Sequence, residues 1–168
     1  KPDEQIQTEL LCWTSLWRTL DQRCRARVIQ HNFALPCEMP MGHLAARLPG
    51  SRYSMSRLLN HQLGREAGEN ISIVDCEQLA SMFGKQRWFD PRYWYLGKYA
   101  VALPALPLLA RHTAAVIAAS LGLSRKCLIL DLDNTLWGGV IGEEGLSGIT
   151  LGQGVDGEAF VAFQEYIL

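Results

Sequence analysis

The chain has 168 residues, 48% of them hydrophobic and 20% charged, with a formal net charge of -1. That is the composition of a globular protein able to bury a core in one or two domains. It supplies no basic field for a nucleic acid or an anionic membrane, which leaves a small molecule or a protein as the expected partner. Cysteines at 12, 24, 37, 76 and 127 are odd in number and lack C-x-x-C spacing, so they read as reduced thiols rather than a disulfide framework. No apolar run approaches the ~20 residues of a membrane span. The start KPDEQIQTEL has no secretion-signal order, which makes the cytoplasm the expected compartment. Both ends read as cut from something longer.

Apolar residues at Ile6, Leu10, Trp13, Trp17 and Leu20 recur at steps of three and four and predict a helix. The run ARVIQHNF predicts a buried strand that exits at Pro36 into a Pro- and Gly-rich loop. Residues 51–68 predict a second helix, with Ser51 as its cap and Gly68 as its stop. ISIV is a second strand, and Asp75 with Gln78 three residues on predicts the capped start of a short helix ending near Gly84. The aromatic segment QRWFDPRYWYLGKYAVALP predicts an ordered loop, and residues 104–120 a long Ala- and Leu-rich helix stopped at Gly122. Helices alternating with short apolar strands predict an α/β fold with a parallel sheet, divided into domains 1–121 and 122–168.

Chemistry concentrates in KCLILDLDNTLWGGVIGEEG. Residues 127–130 predict an apolar strand ending at Asp131 and Asp133, and ligands of parallel α/β sheets bind at such strand ends. Side chains two apart on an extended backbone face the same way, so both carboxylates can enter one pocket. Their mutual repulsion calls for a divalent cation or a retained proton, and either suits phosphoryl transfer. Asp131 would attack phosphorus, Asp133 would hand a proton to the leaving oxygen, and Mg²⁺ would neutralise the phosphate. The plain alternative is a strand end capped by two Asp, with Asn134 in a turn.

The longer string D-L-D-N-T-L-W-G-G resembles the first motif of the haloacid dehalogenase superfamily. That resemblance implies a Rossmann-like phosphatase domain in which Thr135 supports the nucleophile and GGVIGEEGLSGI forms a flap over the phosphate. Together with QHNFALP and WFDPRYWYLGKYAVALPALPLLARHTAAVIA, the segment is similar to the FkbH-like family of polyketide assembly. The family resemblance implies a degenerate SGNH-hydrolase-like domain joined to the phosphatase-like one. The implied activity dephosphorylates 1,3-bisphosphoglycerate, a phosphorylated three-carbon substrate, and loads glyceryl onto an acyl carrier protein. Where an SGNH hydrolase places Asp and His three apart, this chain has Asp90-Pro91-Arg92-Tyr93, and no Gly-Asp-Ser motif accompanies it. The first domain therefore reads as scaffold or substrate-binding surface. The superfamily's Ser or Thr, Lys and second acidic pair are expected after Leu168, so this stretch alone is expected to be inactive. A magnesium phosphatase for another substrate and a non-catalytic scaffold remain alternatives.

Four further features admit a functional and a structural reading. Gly152, Gly154 and Gly157 fit G-x-G-x-x-G, although a glycine-rich exit from the flap with Asp156 capping the next helix explains them better. Cys127 is a thioester candidate for glyceryl transfer, against a structural reading as an inert core thiol. His31 reads as a satisfied structural histidine, and Trp88, Tyr93, Trp94 and Tyr95 either pack under the loop or form a partner surface.

Overall fold

A computed structural model describes residues 1–24 and 26–168, which form two compact units, Lys1–Ser124 and Arg125–Leu168. In the first, helix α1 (Pro2–Cys24) opens with Asp3 and Glu4 and closes with Arg23, charges that complement the helix dipole. It buries Ile6, Leu10, Thr14 and Trp17 at helical spacing. Strand β1 (Val28–His31) pairs in parallel with β2 (Ile71–Val74), from Val28 opposite Ile71 to His31 opposite Val74. A parallel pair needs a crossover, and helix α2 (Arg52–Glu66) provides it. Ser51 caps α2 by accepting from the Ser54 amide, as the sequence predicts.

Alternation along the strands separates two cores. Val28 and Ile71 join Leu10, Trp17 and Leu63 on the α1/α2 side. Ile29 and Val74 join Cys76, Leu79, Ala80, Trp88 and Ala105 on the other. The polar member of the first face, Gln30, is satisfied: it accepts from Trp17 Nε1 at 3.0 Å and donates to the His31 carbonyl at 2.7 Å. The result is a layered α/β arrangement around a small parallel sheet.

Helix α3 (Cys76–Phe83) begins at Asp75, whose carboxylate accepts from the Glu77 and Gln78 amides, and ends at Gly84 with φ 97°. The predicted loop after it is a correction, because much of it is helical: α4 (Lys85–Trp88), α5 (Pro91–Gly97) and a 3-10 turn, Leu103–Ala105. Prolines that look like breakers act here as starters. Pro91 occupies the first turn of α5, where no amide is needed, while Asp90 accepts from the Arg92 amide and Lys98 closes the helix in the left-handed region. The Arg92 guanidinium, hydrogen-bonded to Asp90, holds that carboxyl below its ordinary range. The loop before Gly50 likewise contains a 3-10 turn, Gly42–Ala46.

Helix α6 (Leu106–Ser120) packs on β2, β1 and α3. With its 3-10 lead-in it makes an 18-residue stretch, Leu103–Ser120, that is long and apolar enough to cross a membrane by length and composition alone. This corrects the expectation that no apolar run comes near that limit; the stretch carries Arg111 and His112 in its middle.

Burial raises the Cys76 thiol to about 11, with the Asp75 charge adding to the effect. Its folded value lies above the ordinary 9.0, so its contribution to stability is complete below 9.0 and is lost as pH rises toward 11. Cys12, Cys24 and Cys127 are exposed. At pH 8 a maleimide should label these three in the native protein and reach Cys76 only after denaturation, which intact-mass counting will show; prompt native labelling of Cys76 would contradict its burial.

In the second unit, residues 125–130 take no regular secondary structure and have no sheet partner, so the strand predicted over 127–130 does not form among the described residues. A strand is made by ladder bonds to a neighbour, and no other segment of this unit supplies one. Cys127 is exposed instead of packed in a core, with Leu128 and Ile129 open beside it. Two short helices follow, α7 (Ile141–Glu144) and α8 (Glu158–Ile167).

Candidate active site

Asp131 and Asp133 stand where the irregular segment 125–131 meets a turn. The turn over residues 132–136 is closed by amides of Thr135 and Leu136 donating to the Leu132 carbonyl at 3.2 and 2.8 Å. Thr135 lies on it, half-buried. Asn134 takes φ 53°, a left-handed conformation that Asn tolerates, and its Oδ1 accepts from the Gly139 amide at 2.9 Å. Asp133 Oδ1 accepts twice, from the Trp137 indole Nε1 at 3.0 Å and from the Ile141 amide at 3.2 Å. Asp131 Oδ1 accepts from the Leu132 amide at 2.8 Å.

The loop beyond is tied off by reciprocal backbone bonds between Gly138 and Thr150, at 3.0 and 2.8 Å. It thus leaves and returns as a hairpin-like flap. Glycine fits closely at 138, where a β-carbon would lie 3.0 Å from the Thr150 side chain and 3.1 Å from Phe160, so a larger residue would push those side chains back by a few tenths of an ångström. Helix α8 braces the turn through Gln164 Nε2, which donates to the Leu136 carbonyl at 2.6 Å.

Other predicted residues fall elsewhere. Asp156 does not cap α8; Gly157 takes that place without a side-chain bond, because Gly154 and Gly157 carbonyls accept the first-turn amides of Glu158 and Val161. Gly152 and Gly154 hold positive φ in this flap exit. His31 Nε2 lies 2.9 Å from Thr113 Oγ1, a satisfied polar pair. Trp88 is 1% exposed and belongs to the core, whereas Tyr95 is 79% exposed and Trp94 carries the Lys98 ammonium 5.1 Å above its ring.

Two constellations escaped the sequence reading. The first is the Trp137 bond to Asp133, whose signal is an aromatic donor four residues after the carboxylate. The second joins the strand ends of the first unit: Asn32 donates to Asp75 at 3.0 Å and accepts from the Cys76 amide at 2.7 Å. Beside it, Glu77 pairs with Lys85 and accepts from the Leu35 amide, while Asn60 clamps both backbone groups of Phe33. These bonds satisfy one another and describe a scaffold. Asparagines at strand ends give no pattern from which such a lock can be read.

The donor chemistry at the turn fits magnesium, which takes hard oxygen ligands and is often held by one or two carboxylates with water and substrate phosphate. Asp131 and Asp133 offer such oxygens, and no third acidic or imidazole group clusters with them among the described residues.

The family model for the FkbH N-terminal domain matches residues 6–118, more than half of the chain. This chain belongs to the FkbH family. The FkbH-family chain is also similar to a crystal structure of the N-terminal part of the protein BF1531 from Bacteroides fragilis, containing a phosphatase domain complexed with Mg. The two share 32% identity at a TM-score of 0.81, over 99% of this chain and 45% of that one. This FkbH-family chain thus spans under half the length of that relative. No curated protein matches it.

Proposed function

We propose that the full-length protein is a magnesium-dependent phosphotransferase. In this reading it dephosphorylates 1,3-bisphosphoglycerate and loads the glyceryl unit as a thioester onto an acyl carrier protein for polyketide synthesis. The observation that carries the reading is the D-L-D-N-T-L-W-G-G segment folded as a carboxylate-bearing turn and followed by a loop tied off between Gly138 and Thr150, in a chain of the FkbH family. Asp131 is the nucleophile toward the phosphate ester and Thr135 supports it from the turn. Asp133 protonates the leaving oxygen and then takes a proton from the water that hydrolyses the aspartyl phosphate. Magnesium would be held by Asp131 and, while its carboxylate is unprotonated, Asp133, and when bound neutralises phosphate oxygens. The carrier's thiol attacks the acyl carbon of the acyl phosphate, the bond from that carbon to the phosphate oxygen breaks, and inorganic phosphate leaves, which gives the thioester.

Residues 1–121 are read as the SGNH-like domain and 122–168 as the opening of a Rossmann-like haloacid dehalogenase domain. The parallel β1–β2 pair with helices on both faces supports the first assignment. Tyr93 in place of a histidine argues against hydrolase chemistry there. The compartment is cytoplasmic in this reading, since 1,3-bisphosphoglycerate and carrier proteins are intracellular metabolic partners. Cys127, exposed four residues before Asp131, is the candidate for a transient enzyme thioester.

The test is incubation of the full-length enzyme with 1,3-bisphosphoglycerate and its carrier, followed by intact-protein mass spectrometry. A glyceryl adduct on the phosphopantetheine thiol is expected. Phosphate release with an unmodified carrier would favour the second reading, a phosphatase for another substrate, which the magnesium-bound phosphatase domain of the Bacteroides fragilis protein supports. Cys127→Ala separates the two thiol roles, since loss of loading with phosphate release intact would assign the thioester to Cys127.

A further inference from the structure

Asp133 is the most tightly held side chain of the turn. Its Oδ1 accepts from both Trp137 Nε1 at 3.0 Å and the Ile141 amide at 3.2 Å. A carboxylate oxygen with two donors is well satisfied, which leaves Oδ2 as the oxygen for another partner. Of these donors the amide is set by the backbone, but the indole is a chosen side chain: Phe, Leu or Met would fill similar space and donate nothing. Trp137 is half-buried, and the turn that carries it is fixed by the Asn134 bond to Gly139 and the Gly138 bonds to Thr150. The indole therefore has a fixed place from which to orient the carboxyl.

We propose that Trp137 is a positioning residue that aims Asp133 Oδ2 at the leaving oxygen, and that it suits the site to phosphate esters of aliphatic alcohols. This rests on the phosphotransferase reading above. In the step concerned, a bond forms between Asp131 and phosphorus while the bond from phosphorus to the alcohol oxygen breaks. That oxygen takes the proton from Asp133 Oδ2. Water then attacks the aspartyl phosphate, gives a proton back to Asp133 and releases inorganic phosphate with Asp131 restored. An aliphatic alkoxide is a poor leaving group and needs the proton as it departs, whereas a nitrophenolate leaves without one. Misaiming Asp133 should thus penalise the two ester classes unequally, and a role in folding alone would not distinguish them.

The experiment compares wild type and Trp137→Phe in the full-length protein with magnesium, using glycerol phosphate and p-nitrophenyl phosphate as probes. The readout is kcat/KM, which ends at the first irreversible phosphoryl transfer. The expected loss is about tenfold to a hundredfold with glycerol phosphate and several times smaller with the aryl ester. Benzothienylalanine at position 137, which keeps the indole's shape and removes only its N–H, guards against misfolding and should show the same inequality. Equal losses on both esters in both variants, or no loss, would overturn the positioning role. Failure of the phosphotransferase reading looks different: wild type would then show no magnesium-dependent turnover of either ester, and the inference would fall with it.

Discussion

Replacing Asp131 with Asn in the full-length protein should reduce phosphate release by about a thousandfold or more, because an amide oxygen cannot attack phosphorus and form the covalent intermediate. The change is nearly isosteric, and the wild-type side chain makes a single described bond, to the Leu132 amide, which an amide oxygen can also accept. Folding is therefore expected to be unaffected, and a matching circular dichroism spectrum and melting temperature check this. Excess chelator should silence the wild type to a similar degree, with magnesium restoring activity. Colorimetric phosphate measurement reads both arms. An Asp131→Asn enzyme that turns over normally, or a wild type indifferent to chelator, would falsify the assignment of this turn as the phosphoryl-transfer site.

The second large effect is on stability. Trp88 is 1% exposed at the centre of the core formed by Val74, Leu79, Ala80 and Ala105. Its carbonyl also accepts from the Ala102 amide at 2.9 Å, so the short α4 is fixed to the segment leading into α6. Trp88→Ala should cost about 3–5 kcal/mol, the lost transfer energy of the ring plus an unfilled cavity. Denaturant unfolding of the first unit, with the slope checked against wild type, measures this. Tyr95→Ala, at an exposed ring on the next helix, α5, should stay within about 0.5 kcal/mol. A cost below 1 kcal/mol at Trp88 would mean that the core is assigned to the wrong residues.

Much of the first unit is legible in the sequence because its signals are local. Helical spacing from Ile6 to Trp17, the β-branched run of ISIV, and the caps at Ser51 and Asp75 each describe what their own neighbours do. The aromatic segment misled for a physical reason: Pro91 and Pro104 sit at helix starts, where the missing amide is harmless, and a composition rule counts them as breakers. The strand expected over 127–130 failed differently. Its apolar character is a statement about burial between neighbours, and the strand state depends on partners that lie outside the segment itself. At the candidate site, Asp131, Asp133 and Thr135 could be named from their motif. The Trp137 bond could not, since nothing in a linear string says that an indole four residues on will fold back upon a carboxylate.

The β1–β2 register has a consequence for synthesis. The two strands are parallel and joined through α2, so Val28–His31 has no ladder partner until Ile71–Val74 has followed it. On the ribosome, α1 emerges before β1 and can form early from its local bonds, while β1 waits for its β2 partner. The Asn32 side chain, which grips Asp75 and the Cys76 amide just past the end of the ladder, can engage only when that late pairing arrives. It acts as a latch on that pairing, and pausing translation shortly before Ile71 emerges would hold the nascent chain with β1 still lacking its β2 partner.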